Sequence, residues 1–324
     1  MRKKALVALG VTVLMMAAGG WTAASAADYP QRPITLICPW GAGGGTDAVS
    51  RIIATLLKKE LGVPVNVVNR TGGSGAVGHT AMATAKPDGY TIGMPTVEIT
   101  MMHWMGLTEI TYQNLTPVCM VNFDSAAINI RTDAPWATYK DLENYIRANP
   151  GQLKDSGTGQ GGIWHLAMAG WLKAVGFAPT DIKWIPSKGA APALQDLMAG
   201  GIDMSSCSLP EAATLIDAGK VKPLAVMAPE RDPKFPDLPT LKELGIDWTC
   251  GAWRGIAAPK GTPAEIVAVL EKAIEKVVKS DEFIKFMQNR GFGIYWLNST
   301  DFAQALAQAD KDNGEIMKAA GIAK

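Results

Sequence analysis

Ile34-Thr35-Leu36-Ile37-Cys38-Pro39-Trp40-Gly41-Ala42-Gly43-Gly44-Gly45-Thr46-Asp47 is the stretch on which the fold turns. Five β-prone residues run into proline and glycine, and a helical pattern follows. Val49, Ile52, Ile53, Leu56 and Leu57 repeat at helical spacing over Thr46 to Leu61. The next units repeat the order. Val63 to Val68 reads as a strand, Gly72 to Gly78 as a loop, then comes a helix through Ala85, and Tyr90 to Met94 reads as a third strand. Strands alternating with helices predict a parallel sheet covered on both faces.

The alternation resumes further along. Thr138-Tyr139-Lys140-Asp141 predicts a helix start and Asn149-Pro150-Gly151 its stop. Strands are expected at Leu153–Ser156, Ile182–Ile185, Ile202–Ser206 and Leu224–Met227. Helices are expected at Ile163–Val175, Ala191–Ala199 and Pro210–Ala218. Thr262-Pro263-Ala264-Glu265 reads as a capping box with proline at the first helical position. Ile266, Leu270, Ile274 and Val277 predict the buried stripe of that helix, and Ser299 to Lys318 a last one.

Composition narrows the function. The 324 residues are 48% hydrophobic, enough for a large core and against disorder. Lys and Arg number 31 and Asp and Glu 30, so no basic footprint invites nucleic acid. Met1-Arg2-Lys3-Lys4, the apolar run Ala5 to Ala18 and Ala24-Ser25-Ala26 together read as an export signal over residues 1–26. Without it, 28 of the 31 basic residues remain against 30 acidic ones, a net −2. Cys38, Cys119, Cys207 and Cys250 have no metal-like spacing and are expected to be buried free thiols. His79, His103 and His165 form no paired metal motif and are expected to be structural.

Three glycine-rich loops each lie between a strand and a helix. They are Trp40 to Asp47, Asn69-Arg70-Thr71-Gly72-Gly73-Ser74-Gly75-Ala76-Val77-Gly78, and Gly157-Thr158-Gly159-Gln160-Gly161-Gly162. A helix N-terminus there offers unpaired N–H groups and partial positive charge, and glycine lets an anion approach them. In open α/β sheets, ligands bind at this edge. Gly73 to Gly78 is a literal G-x-G-x-x-G, yet no acid follows at the right place. Gly41 to Thr46 lacks the lysine of a P-loop. An exported hydrolase using Ser74 or Ser208 is the alternative enzyme reading, but no histidine and acid accompany either serine in the sequence.

The order of motifs resembles the substrate-binding receptors of tripartite tricarboxylate transporters, the Bug family. It runs Tyr29-Pro30-Gln31-Arg32-Pro33-Ile34, Gly43-Gly44-Gly45-Thr46-Asp47, Asn69-Arg70, and Lys86-Pro87-Asp88-Gly89-Tyr90-Thr91. Gly157-Thr158-Gly159 with His165-Leu166-Ala167, Lys188-Gly189-Ala190-Ala191-Pro192-Ala193 and Ala199-Gly200-Gly201-Ile202-Asp203 follow. Pro236-Asp237-Leu238-Pro239-Thr240 and Gly261-Thr262-Pro263 complete it. The resemblance implies a two-lobed α/β Venus-flytrap fold, each lobe a mainly parallel sheet flanked by helices. Residues 27–123 with 252–324 would form one lobe and 124–251 the other. It also implies a periplasmic, monomeric, cofactor-free receptor that hands a small organic carboxylate to the transporter's membrane subunits, or feeds a periplasmic sensor.

By the same resemblance, the ligand is gripped by Gly41–Asp47, beside Trp40, and by Gly72–Ala76 of the first lobe. Thr158–Gly162 and Cys207-Ser208 of the second would meet its other end. Gly161-Gly162 stands where many relatives have Gly-Ser, which removes a hydroxyl. Trp40 and Trp164 read as either lobe core or cleft wall, and Lys188 and Arg254 as either ligand-charge partners or surface groups. Thr96 and Glu98 follow the third strand at the expected cleft edge. Glu98 is expected to cap the next helix; turned into the cleft, it would repel a dicarboxylate and favour an ammonium group or hydroxyl donors.

Overall fold

A computed structural model describes residues 29–319 and 321–323. The expected export signal, residues 1–26, lies outside the described residues.

The first half is built as its alternation predicts. Strand β1 (Ile34–Cys38) lies between two parallel neighbours, β2 (Val65–Asn69) and β3 (Thr91–Gly93). Helix α1 (Gly45–Leu61) buries Val49, Ile53, Leu56 and Leu57, and α2 (Ala76–Ala83) follows the second loop. Gly62, at φ 72°, ends α1 in a left-handed cap whose N–H bonds Lys58 O.

The 17-residue strand β4 (Leu115–Arg131) then leaves this half for the other. Leu115 to Ser125 pair with β9 (Gly251–Pro259), which also lies antiparallel to β3. From Ala126 onward, β4 pairs instead with β7 (Met204–Ser208) and β8 (Val221–Val226), both antiparallel. The second half repeats the plan of the first. Strand β5 (Leu153–Ser156) lies parallel to β6 (Ile182–Trp184) and to β7. Around it are helices α3 (Tyr139–Ala148), α4 (Ile163–Val175), α5 (Ala190–Ala199) and α6 (Leu209–Asp217). Each half is therefore a parallel trio edged by antiparallel strands, and β4 and β9 run between the halves. Cys250 O accepts from Ala126 N–H at 2.8 Å where the chain returns.

The chain closes with α7 (Ala264–Val278), α8 (Asp281–Arg290) and α9 (Ser299–Ala319). Helix α7 packs on α1 through Ile266, Leu270, Ile274 and Val277, all in one core with Val49 and Ile53. A second core holds Trp171, Leu172, Leu197 and Met204 and extends to Phe302 and Leu306 of α9. One sequence expectation fails at α7. Pro263 is its N-cap and no side chain caps the helix; the Thr262 hydroxyl donates to Pro259 O at 2.8 Å. With proline at the N-cap and not at the first helical position, Thr262 stands one residue too early to cap, and its hydroxyl serves the preceding turn. All four cysteines are free; Cys38, Cys119 and Cys207 are buried and Cys250 half-buried.

Candidate functional site

A cavity lies where the strand ends of the two halves meet. Its walls include Trp40, Gly44, Gly45, Thr46, Thr96 and Glu98 from the first half and Thr158, Trp164, Gly189, Ala190, Ala191 and Glu211 from the second. Arg254 of β9 reaches it from the strand pair that joins them. The space is about 30 Å³ for the centres of water-sized spheres, room for roughly two ordered waters.

Helix N-termini converge on this cavity, and they differ in how their N–H groups are met. Helix α1 begins after Gly44 with no side-chain cap. Among the described residues, the N–H groups of Gly45 and Thr46 meet no acceptor. Helix α5 begins after Gly189, likewise uncapped, with the N–H groups of Ala190 and Ala191 unmet. Helix α4 is different: Ile163 N–H donates to Glu98 Oε1 at 3.1 Å. Helix α6 carries its own acid in its first turn, Glu211, whose Oε2 accepts from Ser208 N–H and hydroxyl at 3.3 and 3.1 Å. A carboxylate of the protein's own thus stands at two of the N-termini, on Ile163 N–H of α4 and on the Ser208 N-cap of α6. Two, one from each half, are left open to an anion. A third polar group is unmet: Thr158 Oγ1, 3% exposed and on the cavity wall, has no hydrogen-bond partner among the described residues.

Glu98 does cap a helix, but not its own. It sits in a 3-10 turn over Val97–Thr100, reaches across the cleft to α4, and lines the cavity. Trp40 Nε1–H donates to Thr96 Oγ1 at 3.1 Å, and the Thr96 hydroxyl donates to Glu98 Oε2 at 2.5 Å. Burial pushes the Glu98 carboxyl up from its ordinary pKa, and the Thr96 and Ile163 hydrogen bonds oppose that shift. His79 locks the same corner. Its Nδ1 meets Gly75 O at 2.8 Å and its Nε2 accepts from Thr96 N–H at 3.1 Å. Burial lowers its pKa to about 4, so the ring is neutral and structural. His165 is also spent within the fold: its Nδ1 accepts from Gly161 N–H at 3.0 Å, and burial lowers its pKa to about 4.

Arg254 is only 2% exposed and almost fully engaged. Its Nε donates to Thr46 Oγ1 at 3.0 Å. Nη1 reaches Asn122 Oδ1 and Asp124 Oδ2, each at 2.5 Å, and Nη2 reaches Glu211 Oε1 at 3.2 Å. Four of its five donors are used. Burial raises both Asp124 and Glu211, and Arg254 opposes each rise.

Gly41 also lines the cavity, while the remaining residues singled out from the sequence surround it without lining it. Asp47 turns back on its own loop, accepting from Gly43 N–H and Arg51 Nε through Oδ2 and from Asn69 Nδ2 through Oδ1. Burial alone would raise its pKa, but bonds from Arg51, Gly43 and Asn69 bring it below the usual value. Ala42 and Gly43 are exposed on that loop. The second loop, Gly72 to Ala76, forms a rim contact: Ser74 donates to Gln160 O at 2.8 Å. A Cβ on Gly159 would lie 2.2 Å from Ser74 Oγ, so this meeting of halves requires glycine there. Gly161 and Gly162 form the turn into α4. Cys207 is fully buried in β7, beside Asn129. Ser208 serves α6 through Glu211, and Lys188 is exposed. Neither Ser74 nor Ser208 is bonded to a histidine. Among the described residues, no group of three or more His, Cys, Asp or Glu is placed to hold a metal ion. Sequence reasoning missed Gly189 to Ala191 as cavity wall, although the Gly-Ala-Ala-Pro run after a strand was a legible signal.

Two α/β halves joined by paired strands, with open helix N-termini facing each other across a cleft, define a two-lobed solute-binding receptor. Residues 49–322 match the family described as the tripartite tricarboxylate transporter family receptor, and the chain belongs to that family. It is similar to a solved TctC solute-binding protein from Polaromonas without ligand, at 37% identity, 90% coverage of this chain and 99% of that one, and a TM-score of 0.65. It is also similar to the periplasmic binding protein BugD, at 31% identity, 91% and 100% coverage and a TM-score of 0.85. A third is the R. palustris protein Rpa4515 with adipate, at 29% identity, 91% and 99% coverage and a TM-score of 0.86. Among the described residues, no helix is long and apolar enough to cross a membrane.

Proposed function

We propose that the protein is exported to the periplasm, captures a small organic carboxylate between its lobes and delivers it to membrane subunits of a tripartite tricarboxylate-type transporter. The observation that carries this reading is the pair of open N-termini, Gly44–Thr46 of α1 and Gly189–Ala191 of α5, facing one cavity from opposite halves. A carboxylate seated between them takes charge-assisted hydrogen bonds from both lobes. Thr158 Oγ1 supplies a further polar contact from the second lobe. The ring of Trp40 closes the wall and, through Thr96, holds Glu98 in place. Asp47 positions the α1 loop, while the Gly72–Ala76 loop and Gln160 form the rim.

Residues 27–123 with 252–324 and residues 124–251 act as the two lobes, hinged where β4 changes partners and the chain returns near Cys250. A cavity of about 30 Å³ is too small to admit a ligand unless the lobes part, so binding and closure are coupled. The similarity values support this. The chain superposes better on the adipate-bound relative than on the unliganded one, although the latter is nearer in sequence.

Titration calorimetry of the purified protein with a panel of short carboxylates and their amides tests the reading. One site, a need for the carboxylate and recovery of the ligand unchanged are expected. Equal affinity for acids and amides, or chemical conversion of the ligand, would overturn it.

A further inference from the structure

The charged groups on the cavity wall are Glu98, Glu211 and Arg254. Arg254 is committed to Asp124 and Glu211 and keeps one donor, so it offers no fork to a second carboxylate. Glu98 is differently placed. Among the described residues it has no ion-pair partner; a hydroxyl and a backbone N–H satisfy one acceptor site on each oxygen. Both oxygens accept at the positive end of α4, and these bonds favour the charged form against the burial that raises its pKa. Each oxygen retains acceptor capacity. With Asp124 behind the wall, three carboxyl groups stand against one guanidinium, and burial raises the pKa of each.

We infer that the far end of the ligand is a positively charged hydrogen-bond donor held by Glu98, so that the receptor selects a small amino carboxylate over a dicarboxylate. This rests on reading the cleft as a carboxylate site. The near carboxylate sits at the open N-termini of α1 and α5. At the α4 N-terminus, which would otherwise welcome a second carboxylate, Glu98 already holds Ile163 N–H. A dicarboxylate must displace Glu98 from Ile163 N–H or lie against it with like charge. An ammonium group instead gains a charged acceptor without disturbing the bond. The unpartnered hydroxyl of Thr158 serves as a second acceptor on the same wall.

Calorimetry with length-matched probes decides the matter: succinate against 4-aminobutanoate, adipate against 6-aminohexanoate, and butanoate against 2-aminobutanoate. The expected result is that at least one amino carboxylate binds at least tenfold tighter than its partner, since hydrogen bonds to charged groups contribute on the order of tenfold to a hundredfold. A dicarboxylate that binds more tightly than every amino carboxylate would overturn the inference and leave the receptor reading standing. Failure of every probe, dicarboxylates included, would sink both. In Glu98→Gln, with an unchanged apo melting temperature as the folding control, the preference for amine over dicarboxylate should fall at least tenfold. If that variant melts early, the Thr158→Val receptor should still lose amine affinity severalfold. An unchanged amine-to-dicarboxylate ratio in folded Glu98→Gln would refute the role given to Glu98.

Discussion

Replacing Gly44 tests the anion seat directly. Gly44 is the N-cap of α1 with φ −80° and ψ 175°, a conformation open to any L-residue. A Cβ built there lies 3.4 Å from Gly41 O and 3.9 Å from the Ala191 Cβ. It therefore points into the gap between the two open N-termini at ordinary contact distance. Gly44→Ala should fit, with affinity within a few fold of wild type. Gly44→Leu carries its branched end into the place of the ligand's carboxylate. Hydrogen bonds to charged groups contribute about 1.5–3 kcal/mol each. Losing two N–H contacts would then cost about 3–6 kcal/mol, weakening Kd by roughly two to four orders of magnitude. The apo protein should lose little, because changing a glycine N-cap costs about 1 kcal/mol or less. For a chain of this size that lowers the melting temperature by only about 2–4 °C. Calorimetry against the tightest ligand of the panel gives the first number and thermal melting without ligand the second. A Gly44→Leu protein that binds within threefold of wild type would refute the seat. One that fails to fold would mean the glycine is structural.

Three further outcomes follow from the geometry. Arg254→Met leaves Asp124 and Glu211 buried without their cation, and denaturant unfolding should report a loss of about 3–5 kcal/mol; a loss below 1 kcal/mol would mean the acids are not charged there. Asp155 is fully buried, bonded to the Ser206 N–H and hydroxyl, and burial raises its pKa to about 7. Because the folded pKa lies above the unfolded one, its stabilising effect is complete below about pH 4 and lost as pH rises through about 7. Wild type should therefore lose stability relative to Asp155→Asn across that window, and a gap that does not change with pH would contradict the assignment. Small-angle scattering should give a larger radius of gyration for the free protein than for the ligand-saturated one, as closure requires; identical curves at full occupancy would argue for a rigid pocket.

The reach of the sequence is clearest in its local signals. Val49, Ile53, Leu56 and Leu57 marked α1, Thr138 and Asp141 marked the start of α3, and β1 to β3 were legible as alternating units. All of these depend on neighbours within a turn or a strand. The expected lobe division between residues 123 and 124 falls inside β4, but the continuous 17-residue strand was not legible. Pro117, Asn122 and Asp124 interrupt its pattern, and its register shifts near two of them. Placing the glycine loops at strand ends pointed to an anion site, and the order of motifs pointed to the family.

What the sequence could not decide was which N-termini stay open. Ser208 and Glu211, three residues apart, form a local device that fills α6. Glu98 fills α4 from 65 residues away, and Asp47 turns from the cleft to Asn69, 22 residues on. Arg254 became a buried ion-pair centre because Asp124, 130 residues away, and Glu211, 43 residues away, close around it. A short-range hydrogen bond leaves a spacing in the chain that can be read. A bond between lobes depends on how two separately folded sheets are set against each other by β4 and β9, and only the tertiary structure decides that.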